Sequence, residues 1–422
     1  MSIGAEASPP DASPAISWWH LLPPRAPPDT RRLLIGKALR AFTDGLVSIV
    51  LPVYLLRLGY SAFEVGALVT STLLGSAMLT LSIGLFAHRF PGRKLLLGAC
   101  LLMVATGAAF ATVHGFWPLL IVAFIGTINP SAGDVSIFLP VEQALLSGTI
   151  SPRQRTAMFA RYSLIGAVAG AAGTLAAGLP EIIARKFDVD QTTILQAVFW
   201  LYALVGLVAL VIYRPLSSPA EIQTPPSGKA LLHSQRVVFE LAALFSLDAF
   251  GGGFFVQSLL ALWLFQAFHL SVLAASSILF WMGLCSAVSY LIAVPISERF
   301  GLINTMVFTH LPSNILLILV PFSPNLPIAI ALLVARSALS QMDVPTRTSF
   351  VMAVVRPEER RAAASITAVP RSLASALSPL LAGYLLTVSP FGWPLILGGS
   401  LKSVYDILLL VRFRDVRPPE EE

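Results

Sequence analysis

The chain has 422 residues, 56% of them hydrophobic and 12% charged, with a net charge of +6 and a mean hydropathy of +0.78. A soluble domain carries about 25% charged residues, so this composition cannot furnish a water-facing surface and places the chain in a bilayer. The basic residues fall in short clusters between apolar runs, which excludes nucleic acid as a partner, and Cys100 and Cys285 sit inside apolar runs with no metal or redox spacing.

Residues 1–32 are rich in Pro, Ala and Ser and lack the apolar core of a signal peptide, so they read as a disordered cytosolic tail. Twelve apolar runs follow, at 34–56, 64–87, 95–113, 117–147, 157–180, 192–213, 237–265, 271–296, 303–322, 326–355, 362–388 and 393–412. A helix needs roughly 20 such residues to cross the hydrocarbon core. The runs are long and do not alternate, which selects helices over a barrel. The expected fold class is an all-α membrane protein of twelve transmembrane helices, here called spans 1 to 12.

The longest polar connection, 215–236, contains Pro219, Pro225 and Pro226. It reads as a cytosolic linker between an N-terminal six-span bundle (33–214) and a C-terminal one (237–412), with a cytosolic tail at 413–422. The connections alternate in basic charge. Arg89, Arg93 and Lys94, then Arg153 and Arg155, then Arg299, then Arg356, Arg360 and Arg361 mark one side. By the positive-inside rule that side and both termini are cytosolic, and the plasma (inner) membrane is the expected location.

The halves echo one another. Asp44 has a counterpart in Asp248, Pro140 in Pro345, Pro152 in Pro357, and Ala177-Gly178 in Ala382-Gly383. Ser61 precedes Arg89-Phe90 by 28 positions, and Ser271 precedes Arg299-Phe300 by the same distance. Weak internal symmetry in an apolar chain points to a transporter whose site lies between the repeats.

Ionisable residues inside spans are costly and face protein or water. They gather on every third span: Arg40 and Asp44 on span 1, Asp134 and Glu142 on span 4, Asp248 on span 7, and Arg336, Asp343 and Arg347 on span 10. Arg40 and Asp44 are one turn apart and are expected to pair. Glu142 and Arg347 are repeat-equivalent, carry opposite charges, and are open to two readings, a latch bonding across the halves and structural ion pairs that hold helices together. Asp44 and Asp248 read as functional because a lone membrane acid has few structural uses. Asp44, Asp134, Asp248 and Asp343 are candidates for proton coupling. Arg40, Arg336 and Arg347 would hold an anion or keep an acid ionised. Arg161 and Arg371 are expected to snorkel to the membrane surface. Lys402 and Asp406 are expected to pair within one turn. His310 is open to two readings, a proton relay and a hydrogen-bonded core histidine, the second preferred.

The loop Gly84-Leu85-Phe86-Ala87-His88-Arg89-Phe90-Pro91-Gly92-Arg93-Lys94 resembles the signature loop of the major facilitator superfamily. Gly84, Arg89, Gly92, Arg93 and Lys94 match it; His88 replaces the usual Asp and Pro91 adds a residue. The second half holds a degenerate copy around Arg299. The resemblance covers about residues 30–415 and implies alternating access, with spans 1, 4, 7 and 10 lining the cavity and Arg89, Gly92, Arg93 and Arg299 at the gate. Gly166, Gly170, Gly173 and Gly178 in span 5 look like the glycine-rich motif of family antiporters, which favours efflux, and equally like close helix packing.

The expected function is proton-coupled transport of a small organic solute, efflux being preferred to uptake of an organic anion or nutrient. A non-transporting receptor of the same fold and a membrane-embedded enzyme are the readings from other classes. No catalytic cluster, cofactor or metal is expected. The expected partners are the solute, protons and the lipid bilayer, with the protein acting as a monomer.

Overall fold

The computed structural model describes residues 27–86, 90–131, 136–148, 155–217, 234–356 and 359–414. All the regular structure among them is helical. The first half comprises α1 (Pro28–Arg57), α2 (Ala62–Phe86), α3 (Gly92–Thr112), α4 (Phe116–Ile125), α5 (Phe138–Gly148), α6 (Arg155–Ala176), α7 (Leu179–Phe187) and α8 (Gln191–Tyr213). The second comprises α9 (Gln235–Gly253), α10 (Gln257–Phe268), α11 (Val272–Phe300), α12 (Leu302–Leu319), α13 (Leu326–Leu339), α14 (Asp343–Val354), α15 (Arg360–Val388) and α16 (Trp393–Phe413). Among the described residues, ten helical stretches are long and apolar enough to cross a membrane. Residues 116–148, interrupted between α4 and α5, and helix α15 occupy the places of spans 4 and 11. The protein is an integral, multi-pass membrane protein.

Three spans are broken. Span 4 stops at Ile125 and resumes at Phe138; span 7 breaks between Gly253 and Gln257; span 10 breaks between Leu339 and Asp343. Broken helices in a bilayer occur where their freed backbone groups face protein or water. A further difference lies after span 5, where α7 forms a short helix over residues read as a loop. Pro180 stands in its first turn, where a missing N–H costs nothing, and Asp188 closes it in the left-handed conformation.

The repeat is visible in the packing. In the first half α1 lies against α6 and α8, α3 against α8, and α2 against α4. The second half repeats each contact: α9 against α15 and α16, α12 against α16, and α11 against α13. The contacts between halves also come as a pair, α2 with α15 and α11 with α6.

The start of α1 and the end of α8 share one face of the molecule, where the Arg32 guanidinium donates to Pro215 O at 3.0 Å and the Ser217 N–H donates to Asp29 Oδ2 at 3.0 Å. The start of α9 and the end of α16 meet there too, joined by Arg412 and Glu240. We call this the terminal face. The halves join toward the opposite face. There Gln257 Nε2 donates to Thr174 Oγ1 at 2.8 Å, and the Leu273 N–H donates to Glu181 Oε2 at 3.2 Å. Gly66 on α2 and Gly383 on α15 let two backbones touch: a Cβ on Gly66 would stand 2.9 Å from Gly383 Cα. Toward the terminal face, α5 packs on α1 and α3, and α14 on α11, α12 and α15, each within its own half.

Candidate functional site

Each half buries one ionic cluster. In the first, α1 carries Lys37 and Arg40, three residues apart and hence on one helical face. Glu142 on α5 is fully buried and accepts from Arg40 Nη2, with 2.5 Å to Oε2. It also accepts from the Tyr162 hydroxyl at 2.5 Å and from the Tyr213 hydroxyl. Arg40 lies 3.9 Å from the Phe138 ring centre, and the Lys37 ammonium 4.9 Å from that of Tyr162. Glycines make the room. A Cβ on Gly36 would collide with the Tyr213 ring, and one on Gly166 would stand 2.4 Å from the Lys37 stem. A carboxylate removed from water needs this many donors, because an unpaired charge in such a place costs several kcal/mol.

The second cluster joins four elements. Asp248 on α9 accepts from Lys402 Nζ of α16 at 2.5 Å and from Arg347 Nη2 of α14 at 2.8 Å. The same Arg347 nitrogen pairs with Asp343 one turn earlier. His310 on α12 places Nδ1 2.8 Å from Asp406 Oδ1 and 3.2 Å from Asn314 Nδ2, and its Nε2 stands 3.8 Å from Asp248 Oδ1. Asn314, one turn after His310, donates to Asp406 Oδ2 at 2.8 Å. All these ionisable side chains are buried. Gly251 allows the approach of α16: a Cβ there would lie 2.8 Å from Lys402 Cγ and 2.9 Å from Gly398 O.

The buried charges of spans 1, 4, 7 and 10 are joined by Lys402 and Asp406 of span 12, and several partners differ from the expected ones. Glu142 and Arg347 do not bond to one another; each closes an ion pair inside its own half. The guanidinium of Arg40 is turned to Glu142, while Asp44 is half-buried. Asp248 is not a lone acid, since two cations hold it. Lys402 and Asp406 turn to Asp248 and His310 rather than to each other. Arg161 is buried instead of snorkelling. Arg336 is buried with its guanidinium 4.7 Å from the Phe255 ring centre, and its Nε has no hydrogen-bond partner.

Among the gate candidates, Gly92 is buried at the start of α3, Arg93 is half-buried, and Arg299 is exposed and lies over its neighbour Phe300. Asp134, Arg89, residues 218–233 and most of the two tails lie outside the described residues. Sequence reasoning did not find Lys37, Tyr162, Tyr213 or Asn314. Lys37 and Asn314 carried a signal, standing three before Arg40 and four after His310; the tyrosines carried none.

A cavity of about 230 Å³ adjoins the second cluster between α9, α14 and α15, with Phe245, Arg347, Met352 and Arg371 in its walls.

The chain matches the family profile described as Major Facilitator Superfamily over residues 33–265 and 241–422. It is 24% identical over 423 residues to an uncharacterised membrane protein of Saccharomyces cerevisiae, covering 92% of this chain and 94% of that one. Its structure is similar to that of the nucleoside transporter NupG (TM-score 0.70, 14% identity, 92% of this chain and 99% of that one). It is also similar to that of a human organic anion transporter (TM-score 0.63, 19% identity, 92% of this chain and 100% of that one).

Proposed function

This chain belongs to the major facilitator superfamily, and we propose that it is a secondary transporter that exports a small organic solute by alternating access, driven by protons. The fold, family and structural neighbours are those of transporters. The halves meet toward one face while each keeps its ionic cluster to itself, which is the arrangement of two rigid bodies that rock about a seam.

The observation that carries proton coupling is the buried chain Asp406–His310–Asp248. In the tautomer whose Nδ1–H bonds Asp406, a neutral His310 has its Nε2 lone pair on the side of Asp248, 3.8 Å away. A proton on Nε2 converts that contact from repulsive to attractive. The glycines of α6 resemble those of antiporters and support export; they also bring α6 close to α1, with Gly173 against Phe42 and Gly45 against Gly170. We place the terminal face in the cytosol of a plasma-membrane protein, on the support of its basic residues. Both walls of the pathway come from one chain, which supports a monomer.

The test is transport in proteoliposomes under an imposed pH gradient, with a panel of organic solutes and internal pH followed by a trapped dye. Proton flux that follows an added solute, and that is lost in Asp248→Asn and His310→Gln, is the expected result. Flux that ignores the gradient and survives both substitutions removes proton coupling through this chain.

A further inference from the structure

The cavity beside the second cluster has a chemistry of its own. One wall is the guanidinium of Arg347, whose side chain is only 8% exposed. Its Nη2 is shared between Asp248 and Asp343, while Nη1 and Nε have no hydrogen-bond partner. The lining also holds Arg371, eleven residues into α15, about 16 Å along the helix at 1.5 Å per residue. Arg371 is exposed and makes no ion pair among the described residues. A guanidinium at that depth facing lipid is too costly, so the open space it meets is an aqueous one. Phe245, Val351 and Met352 make the rest of the wall apolar.

The nearby acids do not meet this demand. Asp248 is held by Lys402 and Arg347, Asp343 by Arg347, and Asp406 by His310 and Asn314. Arg371 is left facing the cavity with five donor hydrogens and no acceptor among the described residues.

Resting on the transporter reading, we propose that the transported solute is a small organic anion whose carboxylate, or group of like charge, sits between Arg347 and Arg371 with its apolar body against Phe245 and Met352. Guanidinium groups suit planar oxyanions, to which they donate two parallel hydrogen bonds. The volume, about 230 Å³, is below the ~300–1,000 Å³ of sites that enclose drug-sized ligands, so a one-ring acid is the right scale. A neutral or cationic solute of the same shape leaves Arg371 unanswered.

The experiment uses the full chain and four one-ring probes: benzoate, phenylphosphonate, benzamide and benzylamine. Modification of Arg371 by phenylglyoxal is read by peptide mass spectrometry, and proton flux into proteoliposomes is followed with the same probes. At least one anion is expected to protect Arg371 and to drive proton flux, while benzamide and benzylamine do neither. Arg371→Gln should weaken the anion's effect on flux by about tenfold to a hundredfold, the usual worth of a charge-assisted hydrogen bond; Arg371→Lys should restore part of it. Equal protection by benzamide, or protection by neither anion, overturns the proposal. Flux driven by benzylamine or benzamide but by neither anion overturns the anion and keeps the transporter. Protection by an anion without flux of any probe keeps the anion site and counts against the transporter.

Discussion

Glu142 and Arg347 occupy equivalent places in the two halves, carry opposite charges, and are each ion-paired to the first span of their own half. Glu142 meets Arg40 on α1, and Arg347 meets Asp248 on α9. In both halves the inner piece of a broken span is thereby tied to the helix beside it. The polarity is reversed, so the shared feature is the tie and not the residue that makes it.

Breaking one tie should therefore be a stability event. Glu142→Gln leaves Arg40 buried without its carboxylate, a change that typically costs about 3–5 kcal/mol. A lowered melting temperature of the purified protein is expected, with partial recovery when Arg40→Gln is added. A single variant as stable as the parent shows that the pair is not structural.

Asp406 holds His310 in place from the far side of the cluster. Asp406→Asn should loosen the ring and reduce proton-driven flux by about tenfold, from the loss of one hydrogen bond to a charged group. Exchange of solute without a gradient should change less. Equal loss of both rates assigns Asp406 to folding instead.

The close approach of α2 and α15 depends on Gly66 and Gly383. A side chain on Gly66 meets Pro379 O at 2.5 Å and Gly383 Cα at 2.9 Å, both belonging to backbone that cannot give way. Gly66→Val should hold the halves apart at the face opposite the termini. In a Cys100→Ala, Cys285→Ala background, Ser258→Cys, buried at the seam, is expected to react with a maleimide several times faster when Gly66→Val is present. An unchanged rate means the halves stay closed.

Gly392 begins α16 with φ of +91°, against the edge of Trp263 and beside Pro321. Gly392→Ala combines a left-handed backbone with a Cβ 2.8 Å from Trp263 Nε1. A destabilisation of about 1–3 kcal/mol follows from strain of this kind, measurable by thermal unfolding. The hydrogen bond from Trp263 Nε1 to Pro390 O should weaken with it.

The spans and their duplication were legible because they rest on local signals: apolar length, proline and glycine marks, and one spacing near 205 that carries Pro140 to Pro345. The ionic partners were not. Helical spacing proposed Lys402 with Asp406, as it would on a solvated helix. In a low-dielectric interior a charge goes to the partner that satisfies it best, however distant in sequence. Glu142 is 102 positions from Arg40, and Lys402 is 154 from Asp248. The glycines that admit these contacts, Gly36, Gly166 and Gly251, look like any other small residues of a membrane helix. The break in span 4 falls at an Asn129-Pro130 pair, yet a proline alone does not tell a kink from a break.

At that break the Ser258 N–H, from the break in span 7, donates to Pro130 O at 3.2 Å. Two interrupted helices from different halves thus complete each other's main chain. When the halves part, the amide and the carbonyl both lose their partner, and hydrocarbon has nothing to offer in exchange. Only water can take up these groups, so in the alternating-access cycle proposed above wetting of the seam and the change of access are a single event, and a dry seam is a locked one.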